Sequence, residues 1–315
     1  MGEIKKGYKG FNKGLVCRDK QYTEHTIFEE DSAVICHSGM HFCENPFDVL
    51  DHYDLVNEDG SFNDFAEVEA LDECKTDDGK KFCTKKLKIG AKLSFAGFVK
   101  ACIDFVMEKT SVEVPDVKFK DTDEAVISSK KQNDKIGSSG NSAKIGSSGD
   151  YAQIGSSGNS AQIGSSGNSA QIGSSGNSAQ IGSSGNSAKI GSSGDYAQIG
   201  SSGDYAQIGS SGYSAQIGSS GDYAQIGSSG YSAKIGSSGD SAKIDSTGED
   251  SIICCAGHNS IVKAKKGSWI TLSEWEYSDE KGRWIPKCVK TEFVDDERIK
   301  ADTFYKLVNG EFTEI

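Results

Sequence analysis

An isoleucine returns every nine residues, from Ile127 and Ile136 without a slip to Ile253, and Val262 stands one step further in the same phase. Around it the unit reads Ala-Gln/Lys-Ile-Gly-Ser-Ser-Gly-Asn/Asp/Tyr-Ser/Tyr. A Gly/Ser spacer has no reason to hold Ala and Ile in fixed phase over such a length. Ala and Ile are two apart, so in extended backbone they share a face, and the Gln or Lys between them points the other way. Each unit is predicted to be one short strand, Ser/Tyr-Ala-Gln-Ile-Gly. A Ser-Ser-Gly-Asn/Asp turn closes it, with Gly and Asn or Asp supplying positive φ. The three prolines, Pro46, Pro115 and Pro286, all fall outside the block, as an unbroken hydrogen-bond ladder requires.

One unit cannot fold alone. Ordering nine residues costs roughly 9–18 kcal/mol of backbone entropy, against about 1.5–3 kcal/mol from one buried Ile. Stacking must supply the rest, so the fold class is mainly β, a β-solenoid with a narrow Ile/Ala core. The variable pair sets the coil size: Asp204-Tyr205, Tyr213-Ser214, Asp222-Tyr223 and Tyr231-Ser232 bring like pairs together every 18 residues. Two nonapeptides per coil, about 18 residues, would lay Tyr205 on Tyr223 and Tyr213 on Tyr231. Gln207 and Gln225 would join one amide ladder and Gln216 another on the opposite face. Aligned aromatics are recognition anchors. Tyr205, Tyr213, Tyr223 and Tyr231, with Gln207, Gln216 and Gln225, are therefore the candidate binding residues, for a protein partner or for self-association.

The composition changes on either side of the repeat. Residues 1–124 are expected to form an N-terminal α+β domain and cap, 125–262 the solenoid, and 263–315 a C-terminal β-meander cap. In the first, strands are predicted at 26–28, 33–36, 40–42 and 64–70. A helix is predicted over 47–53 behind an Asn45 N-cap and Pro46. A second helix runs over 95–109, where Phe98, Val99, Cys102, Ile103 and Val106 make an apolar stripe. That stripe and the segment 112–126 are the expected cover of the first coil. In the last domain, alternating strands are predicted at 269–272, 275–277, 283–285, 289–294 and 303–308, with turns at 278–282 and Asn309-Gly310.

The chain carries a formal net charge of −12, yet the repeat block from 135 to 248 holds five Lys and six Asp and is almost neutral. An acidic chain of this kind is not expected to track phosphates, so nucleic acid is not an expected partner. No apolar stretch reaches the ~20 residues of a membrane span and the N-terminus lacks the apolar core of a secretory signal. No membrane association and a cytoplasmic location are expected. The nine cysteines form no Cys-x-x-Cys pair and are expected to be reduced. No cofactor is expected and the chain is expected to be non-enzymatic, since the repeat carries no recurring catalytic or metal-binding group.

Two places in the N-terminal region could carry chemistry. Cys36, His37, His41 and Cys43 lie within eight residues and could supply zinc ligands or be buried structural side chains. Residues 39–53 followed by Phe65-Ala66-Glu67-Val68-Glu69 resemble the strand-helix-strand module of ADP-ribosyltransferase folds. That resemblance implies an NAD-binding role for Arg18 and an acceptor-orienting pair in Glu67 and Glu69, although no Ser-Thr-Ser strand lies between them. Sequestration of a small nucleotide is a further alternative. The run Asn159-Ser160-Ala161-Gln162-Ile163-Gly164 resembles the strand of trimeric autotransporter head β-rolls, which implies a β-roll fold. The ensemble is similar to an uncharacterised family carried by Firmicutes and their bacteriophages or prophages. It comprises Tyr8-Lys9-Gly10-Phe11, residues 39–46, the Ile-Gly-Ser-Ser-Gly repeats and Gly267-Ser268-Trp269-Ile270. That likeness implies a mobile-element context and brings no established activity or functional residues.

Overall fold

The computed structural model describes residues 4–55, 62–110 and 117–315, in two compact units, Met1–Phe105 and Val106–Ile315. The first unit is built on β1 (Lys5–Phe11), the small hairpin β2 (Val16–Cys17) and β3 (Lys20–Gln21), β4 (Ile27–Glu29), β5 (Met40–Cys43), β6 (Asp64–Ala70), β7 (Lys81–Thr84) and β8 (Lys86–Leu93). Six of these strands form one antiparallel sheet in the order β4-β8-β6-β1-β5-β7. Alternation sends Phe11, Met40, Phe42, Ala66, Val68 and Ile89 into one core. The expected strand at 33–36 is absent. Val34 and Ser38 close a tight loop instead, with Cys36 at φ 63° and Gly39 at φ 84°. A Cβ on Gly39 would come within 2.9 Å of the backbone of Ser32 and Ala33, so the extended pattern yields to a turn only Gly can make.

Helix α1 is shorter than predicted, spanning Pro46–Val49, with Asn45 Oδ1 accepting the Phe47 amide at 3.0 Å. Helix α2 covers Phe95–Lys109 as expected, and its stripe packs on the sheet through Phe98, whose ring stacks on Phe65 at 3.9 Å.

The second unit is the solenoid. After β9 (Val117–Lys120), sixteen strands run from β10 (Val126–Ser129) to β25 (Ile261–Lys263). They alternate between a ten-stranded and an eleven-stranded sheet. From β9 to β23 each residue pairs in parallel with the one 18 positions on: Gln153 with Gln171, Ile154 with Ile172, Gly155 with Gly173. Two nonapeptides therefore make one coil. The strands are Gln-Ile-Gly-Ser, two residues later than the sequence suggested. The residue before each Ala carries the turn's positive φ and cannot be extended. The first Ser of each unit lies in the strand and points inward beside Ile and Ala. Ser156, Ser165 and Ser174 are buried with their hydroxyls unpaired.

The turn also departs from expectation, and the departure explains the repeat. Positive φ falls on the Ser or Tyr that follows Asn/Asp, between 52° and 58° from Ser142 to Ser241. The Gly of Ser-Ser-Gly has another duty. A Cβ on Gly176 would stand 2.0 Å from the Gly158 carbonyl oxygen, and one on Gly185 2.0 Å from that of Gly167. Only a residue without a side chain lets the coils approach to ladder distance. The Asn/Asp side chain ties each turn to the next: Asp150 Oδ1 accepts the Asn168 amide at 2.8 Å, Asn168 that of Asn186, Asn186 that of Asp204, and so on to His258.

Both ends are closed by exceptions to the repeat. At the first coils the Ala position is Asp134, buried and 2.7 Å from Lys118 Nζ of β9. The end of α2 does not lie across the opening: Val106, Met107 and Thr110 stand against the outer side of Gly155 in the eleven-stranded sheet. Of the cap segment proposed from sequence, 112–116 lie outside the described residues. At the far end β26 (Trp269–Ser278) continues the ten-stranded sheet beside Ile252–Cys255 and folds back antiparallel on β27 (Arg283–Phe293). The hairpin of β28 (Phe304–Val308) and β29 (Glu311–Glu314) finishes the other sheet, and Leu272, Val294, Tyr305 and Leu307 complete the core. Four of the five short strands read from sequence merge into β26 and β27 because that hairpin pairs along its full length, and the fifth is β28.

Candidate functional site

The two faces of the solenoid are unequal. On the ten-stranded sheet Gln162, Gln180, Gln198 and Gln216 form an exposed row, with Lys144 and Lys234 at its ends. Beside it runs a glycine row, 146, 164, 182, 200, 218 and 236, where a Cβ would meet nothing within 4 Å among the described residues. At one strand per ~4.8 Å, the six glycines floor a furrow about 24 Å long. On the eleven-stranded sheet the same positions are covered: Gln207 and Gln225 are half-buried and Lys189 is 7% exposed.

The tyrosines divide between the two edges. Tyr205 and Tyr223 precede strands of the eleven-stranded sheet, and their rings lie parallel, 5.0 Å apart at 4°. Tyr213 and Tyr231 precede strands of the ten-stranded sheet, on the opposite edge. Tyr213 does not lie on Tyr231 as expected; it meets Tyr196 edge-on at 5.7 Å and 83°. The amide of Tyr196 donates to the Tyr213 carbonyl at 2.8 Å. That bond joins turn residues 17 apart, so a Tyr at the positive-φ position neighbours the Tyr of the next coil's Asn/Asp position.

A second candidate lies in the N-terminal unit, a cleft of about 590 Å³ bordered by β1, the β2–β3 turn, the 36–39 loop, β5 and the segment after α1. At its base Lys9 is 5% exposed. Its Nζ donates to the His41 carbonyl at 3.0 Å and approaches Cys17 Sγ at 3.5 Å, above the Phe11 and Tyr22 rings. Tyr53 donates its hydroxyl to the same sulfur at 2.9 Å. Arg18, Lys20 and Lys81 also line the cleft; Lys20 is paired with Glu30, and Lys81 reaches Cys36 Sγ at 3.3 Å. Burial lowers the Lys9 amine below its ordinary value, opposed by the neighbouring Cys17 sulfur. Burial, reinforced by the charges of Lys9, Lys81 and Arg18, holds His41 down at about 4. His41 is thus neutral, and its Nε2 accepts the Cys36 amide at 3.0 Å.

Residues 5–101 match a domain of unknown function, DUF7666. Every residue of the cleft falls inside the matched region. No curated protein and no solved structure matches the chain.

The chemistry read from sequence is distributed differently. Arg18 borders the cleft, but Glu67 and Glu69 do not. Glu67 points to solvent on β6, and Glu69 is held by Lys88 at 3.0 Å. Cys36, His37, His41 and Cys43 all border it, yet no group of three metal-ligating side chains converges among the described residues. Burial pushes the Cys43 thiol up to about 12. All nine cysteines are free, and no described helix is long and apolar enough to cross a membrane. Sequence reading missed Lys9, Cys17 and Tyr53. Lys9 sits in a lysine-rich run for which the sequence predicts no strand, and the pairing of β1 with β5 and β6 turns it inward.

Proposed function

We propose that the chain is a non-enzymatic interaction protein whose solenoid holds a regular surface against a protein partner or a second copy of itself. It would act in the cytoplasm of a bacterial host of the phage or prophage that carries it, the context implied by the resemblance of its sequence. The observation that most supports this reading is the open face of the ten-stranded sheet. A strand ladder fixes the spacing of its exposed amides, so an ordered partner meets them without further ordering cost, beside a furrow that can receive a ridge of side chains. Tyr205 with Tyr223 on one edge, and Tyr213 and Tyr231 on the other, would widen that surface with aromatic anchors.

Lys144 and Lys234 are built-in reporters on this face, and Lys189, on the opposite sheet, is their internal control. Amine-reactive cross-linking in cells followed by mass spectrometry is expected to give inter-chain links from Lys144 and Lys234 and none from Lys189. Gly182→Arg with Gly200→Arg, which fills the furrow, should remove them. Absence of links from both lysines, or links unchanged in the filled variant, would contradict the reading.

A further inference from the structure

The observation that reaches furthest is a buried amine without a carboxylate. Lys9 is almost fully covered, yet among the described residues its Nζ hydrogen-bonds a carbonyl oxygen and a thiol sulfur and meets no carboxylate. Buried lysines are ordinarily compensated by an acid, because an uncompensated buried charge is costly. The surrounding charges do not compensate it. Arg18, Lys20 and Lys81 add three cations to the cleft, and of its two carboxylates Glu30 is taken by Lys20 while Asp19 is exposed at the turn. This is an electropositive pocket in a chain of net charge −12.

Arg18 adds a second, independent observation. It is the first residue of the two-residue β2–β3 turn, where Cys17 faces Lys20, and it holds φ 53°. That conformation costs a non-glycine residue energy and is most often occupied by Gly or Asn. The strained position carries instead a guanidinium at the cleft mouth, with no hydrogen-bond or ion-pair partner among the described residues. Tyr8 and Tyr53 border the same space, which has the volume of a site for a nucleotide-sized molecule.

We propose that this cleft binds a small organic anion, a phosphate compound bearing a planar ring, with Lys9 and Arg18 as its charge partners and Tyr8 and Tyr53 beside its ring. The Tyr53–Cys17–Lys9 hydrogen bonds hold the amine in place before the ligand arrives, which lowers the ordering cost of binding. Occupancy would give the buried ammonium the counter-charge that the fold omits. The inference stands apart from the interaction reading and survives its failure.

Calorimetric titration of the full chain at low salt with ADP, inorganic pyrophosphate and adenosine tests it. ADP is expected to bind saturably, pyrophosphate more weakly and adenosine not measurably. Binding should weaken as salt is raised. Arg18→Ala, an exposed change, should cost about tenfold in affinity, the equivalent of one charge-assisted contact. Lys9→Met keeps the stem and removes the charge; it should abolish binding while the thermal midpoint holds or rises. Failure of a folded chain to bind either phosphate compound would overturn the proposal. So would adenosine binding as tightly as ADP, or affinity for ADP unchanged by Arg18→Ala. If Lys9→Met does not fold, Arg18→Ala still decides.

Discussion

Single residues that break the repeat show what the repeat is for. Asp245 occupies the position that is Gly in the coil before it, and it is fully buried, paired with Lys263 at 2.5 Å. Burial pushes its carboxyl up to about 7, and Lys263 pulls only partly against that. The native state therefore holds this proton where the unfolded chain, titrating near 4, has released it. Stability contributed at this site is present below about pH 4 and is lost as pH rises toward 7. Three units of difference set an upper bound of about 4 kcal/mol. Asp245→Asn should flatten the fall in urea-unfolding free energy between pH 4.5 and 7.5, with the gain appearing at the upper end. An unchanged slope in the variant would place the titrating group elsewhere.

At the scale of the strand and turn, two kinds of glycine look alike in sequence and differ in duty. Gly176 in the turn has a carbonyl oxygen 2.0 Å from where its Cβ would be, and Gly182 on the open face has nothing within 4 Å. Gly176→Ala must push two coils apart and should cost about 3 kcal/mol or more, at the upper end of overpacking penalties. Gly182→Ala should lie within about 1 kcal/mol of the parent, since a strand position gains by losing unfolded-state freedom. Equal midpoints for the two variants in chemical denaturation would refute the close-approach account. Much of the element layer was legible beforehand: Ile and Ala at spacing two gave the buried face, and the Phe98-to-Val106 stripe gave α2 to the residue. The strand's phase was not. Ser reads as a turn residue, and its inward position follows only from where the positive-φ residue falls.

For the whole molecule the coil is the unit of change. Deleting residues 163–180 removes one full coil, leaves every later strand on its own sheet and should give a monodisperse protein with the parent's β circular dichroism. Deleting 163–171 removes half a coil. Every later strand then changes sheet, the β26–β27 and β28–β29 hairpins meet the wrong partners, and the open and covered faces exchange. That variant should aggregate or lose its cooperative melt. Comparable behaviour of the two deletions by size exclusion and thermal melting would contradict the 18-residue coil.

The sequence by itself determined the solenoid. A period of nine with two apolar residues in phase leaves a stacked-strand core as the way to bury them, and the alternation of Tyr and Asp every 18 residues counted the strands per coil. Local periodicity carries that information because each coil repeats the environment of the last. Tertiary structure alone decided which face is open, since Gln216 and Gln225 are the same residue in the same repeat and differ in what covers them. It also decided the cleft. Lys9, the Cys17-Arg18 pair and Tyr53 come from three separate segments with no common spacing, and only antiparallel pairing of non-adjacent strands places a lysine inside the fold without an acid beside it.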